Sequence, residues 1–216
     1  MMNQVLFGNL RSYTDLGLFL TDAEIGTPEP KRTVVEVPGR NGSLDLTYAL
    51  SGEITYKNRS IKLTFAMADY QHRWTILFSQ ILAQLHGKLM QVQIEPDTSY
   101  YWDAFCKVNT VKSDRNLGTI VVELDAYPFK KKTVLTTYDV SGTTAGHSQI
   151  CVCDRMPVVP NFYATQACVL AFGSITKNLA VGNNSFTDIV FHEGNSKIIV
   201  TGTGATVTVS YREGRL

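Results

Sequence analysis

Along most of the chain apolar and polar residues alternate in short runs rich in Val, Ile, Thr and aromatic side chains, and Gly, Asn, Asp or Pro interrupts them at short intervals. Alternation of that kind sends successive side chains to opposite faces of a strand, so the pattern predicts a mainly β protein. In the first half the predicted strands are Lys31 to Val37, Ser43 to Tyr48, Glu53 to Lys57, Ser60 to Phe65, Leu89 to Ile94, Tyr100 to Val108 and Thr119 to Leu124. The dipeptide Asn41-Gly42 joins the first two. It is the preferred sequence of a two-residue type I′ hairpin turn, in which both positions take positive φ. Pro38 has no N–H to give to a ladder, which puts this hairpin at a sheet edge or projecting from one.

One segment departs from alternation. Trp74, Leu77, Phe78, Ile81, Leu82 and Leu85 recur three and four residues apart, which gathers them on one face of a helix. The helix is predicted over residues 69–86, with Asp69 as N-cap and Gly87 as the left-handed residue that ends it. Its apolar face is expected to lie on a sheet, and it is the only helix the sequence predicts.

Beyond Tyr127-Pro128-Phe129 and Lys130-Lys131-Lys132 helical periodicity disappears and turn residues become frequent. Short strands are predicted at Thr133 to Val140, Gln149 to Cys153, Asn161 to Ala164, Cys168 to Phe172, Ser174 to Leu179, Ser185 to Phe191, Lys197 to Val200 and Ala205 to Tyr211, spaced as in a β-sandwich. The expected organisation is therefore an N-terminal β-rich α+β domain over 1–130, with one helix and a protruding β-hairpin, and a C-terminal β-sandwich over 131–216. The last strand alternates along its whole length and should bury one face.

Composition narrows the function. Hydrophobic residues make up 44% and charged residues 18% of 216 residues, and the formal net charge is +1, with no marked excess of either sign in either half. A chain with so small a field is not drawn to nucleic acid or to an anionic membrane, and no stretch approaches the roughly 18 apolar residues that span a bilayer. The N-terminus has neither the charged nor the long apolar region of a signal peptide, so synthesis in a cytoplasm is expected. Cys106, Cys151, Cys153 and Cys168 are then expected as free thiols.

Enzyme chemistry finds few candidates. No G-x-S-x-G elbow and no Gly-rich loop ahead of a helix occurs, and His72, His86, His147 and His192 are scattered. A zinc site could be assembled from His147, Cys151, Cys153 and Cys168. Cys151 and Cys153, however, alternate on one strand, which turns both thiols to one face and favours buried cysteines over a C-x-x-C knuckle. Glu36, Asp45 and Glu53 could supply a glycosidase pair, although charges alternating along strands more often make a wet face. Tyr163, Phe186, Phe191 and Tyr211 could stack on sugars, but each fits the sandwich core better. No catalytic residue, metal or cofactor is assigned.

Architecture is more informative. The run Val35-Glu36-Val37-Pro38-Gly39-Arg40-Asn41-Gly42-Ser43-Leu44-Asp45-Leu46-Thr47 resembles the E-x-P-G-R-x-G-x-L-D-L-T hairpin of siphophage distal tail proteins, in particular those of phages of Gram-positive bacteria. Phe7-Gly8-Asn9, Asp15-Leu16-Gly17-Leu18, Tyr56-Lys57-Asn58-Arg59 and Ala126-Tyr127-Pro128-Phe129 follow the same family's order. In the second half Met156-Pro157-Val158-Val159-Pro160, Gly182-Asn183-Asn184 and Ser210-Tyr211-Arg212-Glu213-Gly214-Arg215-Leu216 are similar to its galectin-like or carbohydrate-module-like sandwich.

That resemblance implies a non-enzymatic virion protein of the tail tip. Six N-terminal domains would form a ring joining the tail tube protein to the tail-associated hub protein, and the C-terminal domains would carry a receptor-binding protein or meet a cell-wall saccharide. It singles out Pro38, Gly39, Arg40, Asn41 and Gly42 as the hairpin tip at the subunit interface. The alternative is a carbohydrate-binding adhesin module, with a cell-wall hydrolase behind it.

Overall fold

The alternation from Ser60 onward becomes one strand of a large antiparallel sheet, next to its edge. In the computed structural model, which describes residues 4–68, 74–114 and 117–216, the chain divides into two units, Met1–Lys130 and Lys131–Leu216. The first contains β1 (Val5–Phe7), β2 (Leu10–Arg11), β3 (Leu18–Ile25), β4 (Val34–Val35), β5 (Leu44–Asp45), α1 (Thr47–Ser51), β6 (Arg59–Ala68), α2 (Trp74–Leu85), β7 (Lys88–Ile94), β8 (Asp97–Asp114) and β9 (Leu117–Ala126). Seven of these strands form one sheet in the order β2-β1-β7-β8-β9-β6-β3.

On its inner face Ile61, Leu63, Phe65 and Met67 of β6 stand beside Ile120, Val122 and Leu124 of β9 and Ala104 and Cys106 of β8, all buried. Ile81 and Leu85 of α2 are buried in the same cluster, with Leu77, Phe78 and Leu82 packed against it. The helical period thus supplies the second layer of this core. The end of α2 is fastened to β8 by its backbone. Gly87, at φ +74°, donates its N–H to the Cys106 carbonyl at 2.8 Å, and the Val108 N–H donates to His86 Nδ1 at 3.1 Å. A left-handed residue is needed to turn the chain out of the helix there, and His86 is a structural acceptor. Asp69, expected as N-cap, and His72 lie outside the described residues.

The outer face of the sheet is wet. Glu24, Lys62, Glu123 and Lys107 stand in register on β3, β6, β9 and β8, alternating in sign across four strands. Lys62 and Glu24 approach to 3.1 Å and Lys107 and Glu123 to 3.9 Å. Exposed pairs of this kind contribute at most about 1 kcal/mol each; their effect is to keep the face hydrated and in register.

The second unit follows β10 (Lys130–Lys132) and contains β11 (Thr136–Ser141), β12 (His147–Cys153), β13 (Asn161–Ala164), β14 (Cys168–Phe172), β15 (Ile175–Leu179), β16 (Gly182–Ser185), β17 (Gly194–Thr201), β18 (Thr206–Tyr211) and β19 (Gly214–Arg215). Two four-stranded antiparallel sheets, β11-β18-β13-β16 and β12-β17-β14-β15, bury Val140, Phe162, Val207, Val209 and Tyr211 from one and Cys151, Cys153, Leu170, Ile198 and Val200 from the other. This is a β-sandwich, and β18 buries alternate residues as its sequence predicts. The four cysteines are free and buried. The sheets are stitched at one edge: Tyr138 and Tyr211 stack at 6.3 Å, the Val152 N–H donates to the Tyr138 hydroxyl, and the Tyr211 hydroxyl donates to the Val152 carbonyl.

Several expectations are corrected. Lys31 to Val37 and Ser43 to Tyr48 shrink to two paired residues each, and α1 is a second helix where only one was expected. Gly52 at φ +70° ends it, donating to the Tyr48 carbonyl. Glu53 to Lys57 contributes one bridge, Tyr56 with Pro30, instead of a strand. The strand expected at Ser185 to Phe191 lies earlier, at Gly182–Ser185, because the Asn184 side chain bonds the Ala180 N–H and the Ala180 and Gly182 carbonyls and stabilises the bend itself. The turn falls instead at Phe186 to Ile189. Tyr163, expected in the core, is 47% exposed, since it lies on the outward parity of β13.

Phe65 is fully buried and faces Phe7 at 6.1 Å between ring centroids. Phe65→Ala should destabilise the first unit by about 3–5 kcal/mol, seen as a lower urea midpoint of tryptophan emission. Burial pushes the Cys106 and Cys151 thiols up to about 11 and Cys153 to about 12. These thiols should therefore react with a disulfide reagent at neutral pH only after denaturant is added.

Candidate functional site

The residues singled out by sequence come together in an arm between β3 and β6. Its base is closed by backbone bonds from Lys31 N to the Thr55 carbonyl and from Lys57 N to the Glu29 carbonyl, both 2.8 Å. Above the base, β4 and β5 pair as a ladder of their own, with Val34 opposite Asp45 and Val35 opposite Leu44. Every residue from 31 to 43 is exposed. Val34, Val35 and Val37 are each 40–43% exposed, an aliphatic run that the first unit does not cover.

The tip differs from the turn expected. A two-residue turn at Asn41-Gly42 would set Val35 opposite Tyr48, whereas Val35 faces Leu44. The observed turn is at Pro38-Gly39: Arg40 N donates to the Val37 carbonyl at 3.2 Å, and Gly39 has φ +81°. Proline at the second position and a positive-φ glycine at the third are the requirements of a type II turn. Pro38 fixes its own φ for this turn, but the register matches neither two-residue turn, since one at Pro38-Gly39 would set Val35 opposite Gly42. Pro38, Arg40 and Gly42, with Glu36, Val37 and Ser43, rim a concavity of about 460 Å³. Pro38, Gly39, Arg40, Asn41 and Gly42 are thus contiguous and exposed at the arm's end.

Side chains hold the arm's neck. Arg32 Nη2 donates to Asp45 Oδ2 at 2.7 Å, Thr47 N donates to Asp45 Oδ1 at 3.0 Å, and Thr33 N donates to Thr47 Oγ1 at 3.1 Å. Bonds from Thr47 and then from Arg32 hold the Asp45 carboxyl down at about 2. A carboxyl so engaged at both oxygens is a structural anchor and a poor proton donor, which weakens the glycosidase reading of Glu36, Asp45 and Glu53.

Elsewhere, Cys151 and Cys153 face inward together, as their spacing predicts, while His147 is exposed. Among the described residues no group of three or more His, Cys, Asp or Glu could hold a metal ion. Phe191 and Tyr211 are core residues, and Lys177 lies over the Phe186 ring at 5.4 Å. A cleft of about 480 Å³ opens beside Gly173, lined by apolar Phe172, Ala171 and Ile199 and by polar His192, Glu193, Asn195 and Lys197. No sequence motif announced it, because its residues come from strands β14 and β17 and the loop between Phe191 and Gly194. No helix among the described residues is long and apolar enough to cross a membrane.

The sign of the Asp45 shift gives a prediction. A lowered carboxylate pKa contributes stability above the unfolded value of about 3.9 and loses it as pH falls through the folded value. The Asp45 carboxyl should titrate near 2 by carbon NMR, and Thr47→Val, which removes the hydroxyl, should move that midpoint up toward the ordinary value.

No family model matches the chain, and no curated protein sequence matches it. Solved structures do. The crystal structure of SPP1 Dit (gp 19.1), described as a paradigm of the hub adsorption apparatus in Gram-positive infecting phages, superposes with a TM-score of 0.70 at 10% sequence identity. The alignment covers 100% of both chains. From end to end, the chain has the mainly β fold of a siphophage Dit protein.

Proposed function

We propose that this chain is a structural protein of a phage tail tip, and that copies of its first unit close into a ring, of six subunits, joining the tail tube protein to the tail-associated hub. The observation that supports it is the end-to-end likeness to SPP1 Dit, which takes in both units and leaves no part of either chain unmatched. The geometry of the first unit favours self-assembly. β3 ends the large sheet, and among the described residues no strand pairs beyond it. The arm offers a two-pair ladder and three exposed valines. An open edge and an extended arm on one molecule are the two halves of a head-to-tail contact that closes into a ring. The second unit, a sandwich with an open cleft, would carry a receptor-binding protein or a cell-wall saccharide.

The cleft beside Gly173 favours a second reading, a carbohydrate-binding adhesin. Apolar Phe172, Ala171 and Ile199 together with His192, Glu193, Asn195 and Lys197 in one cleft provide both a face for a sugar ring and donors and acceptors for its hydroxyls. Binding to a glycan array that is lost in Asn195→Ala would establish this activity beside the structural one.

Mass measurement of the purified protein, alone and mixed with tube and hub proteins, tests the ring. Multimers are expected, and deletion of Arg40 to Gly42 should lower the assembled fraction at least tenfold while leaving the circular dichroism unchanged. An intact chain that stays monomeric at high concentration and joins neither partner sinks the ring.

A further inference from the structure

Arg59 is a buried cation without an anion. It opens β6 and is 6% exposed. Its Nη2 donates to the Pro128 carbonyl, and its Nε, also buried, donates to nothing. No ion pair with any described carboxylate accompanies it, and burial lowers its pKa with no opposing charge to raise it. The indole of Trp102, likewise 6% exposed, has its ring centroid 6.0 Å from the Arg59 guanidinium carbon. Its Nε1–H also has no acceptor. The Lys130 ammonium lies 6.0 Å from the same indole and 4.8 Å from the Tyr100 ring, and Asp97 at 2.8 Å neutralises it.

The cluster therefore holds two cations and one carboxylate around a single aromatic ring, leaving one positive charge and two N–H donors unmatched out of bulk water. Buried polar groups in native proteins are almost always paired, and an uncompensated buried charge is among the most unfavourable arrangements a fold can hold. A planar monoanion answers all three deficits: its charge cancels the excess, and its two oxygens can accept from the guanidinium edge and from the indole. A phosphate dianion would overcompensate the charge and call for more donors than the site offers.

We propose that Arg59 and Trp102 form a receptor for one carboxylate, brought by a free small acid or by an Asp or Glu side chain of an associating copy. The residual exposure of Arg59 is its opening. This site lies at the start of β6, beside the arm's base, and does not depend on the role of the arm's tip.

The test uses the full chain with Trp74→Phe, which leaves Trp102 as the sole tryptophan. In sodium formate the thermal midpoint of Trp102 emission should rise about 3 °C above that in sodium chloride of equal ionic strength, with a shift of the native emission maximum. Arg59→Gln should abolish both effects, and Trp102→Phe, followed by circular dichroism, should keep a smaller rise in midpoint. Arg59→Lys, which keeps the charge and loses the fork, should fold and lose most of the response, so the proposal can be judged even if Arg59→Gln does not fold. Formate that also dissolves multimers identifies the natural carboxylate as a second copy's side chain; unchanged mass identifies it as a free acid. Equal midpoints and equal emission in formate and chloride would mean that water satisfies these donors and would overturn the proposal, as would an Arg59→Gln chain that responds like the intact one.

Discussion

A chain built mostly of strands is governed by its backbone hydrogen bonds: each strand exposes a row of N–H and C=O groups on either side, and every row must meet another strand, a side chain or water. Where the sheets end, and what stands at their ends, therefore decides what the molecule can join. In the second unit side chains cover part of one edge. Tyr138 and Tyr211 occupy the N–H and C=O of Val152 on the β12 edge, Gln149 Nε2 donates to the Ile150 carbonyl on the same strand, and Asn184 fills the bend that leads into β16. The β12 edge, occupied in this way, gains little from pairing with another strand.

The first unit treats its margins differently. β3 closes the sheet on one side with no strand beyond it among the described residues, and between β3 and β6 the chain leaves the sheet for the arm. Pro38 would spoil a long ladder, and it is used to make the turn. What the arm lacks in internal pairing it receives at its neck from Arg32, Asp45, Thr47 and Thr33, which orient it without covering its valines. Asp45, which could have suggested catalysis, serves to aim the arm.

The wet face and the core of the large sheet are two readings of one alternation. β6 places Ile61, Leu63, Phe65 and Met67 inward and Lys62 outward, and neighbouring strands continue both series in register. A slip of one residue would exchange the hydrophobic row for the charged ladder, so the charges of Glu24, Lys62, Glu123 and Lys107 fix the register chiefly by being unfit for the interior.

By itself the sequence determined the mainly β class, the amphipathic helix with its Gly87 ending, the strands that bury one face, the paired inward cysteines and the exposed Pro-Gly-rich segment, because each depends on a local period or a local backbone requirement. The tertiary structure alone decided the rest. The arm's tip depends on competition between two turn signals three residues apart, in which Pro38-Gly39 makes the turn, while the register of β4 and β5 matches a two-residue turn at neither. The short α1 carries no periodicity long enough to announce it. The meeting of Arg59 with Trp102, of Tyr138 with Tyr211 and of Phe172 with His192 and Asn195 joins residues remote in sequence, and only strand order and register bring such residues together.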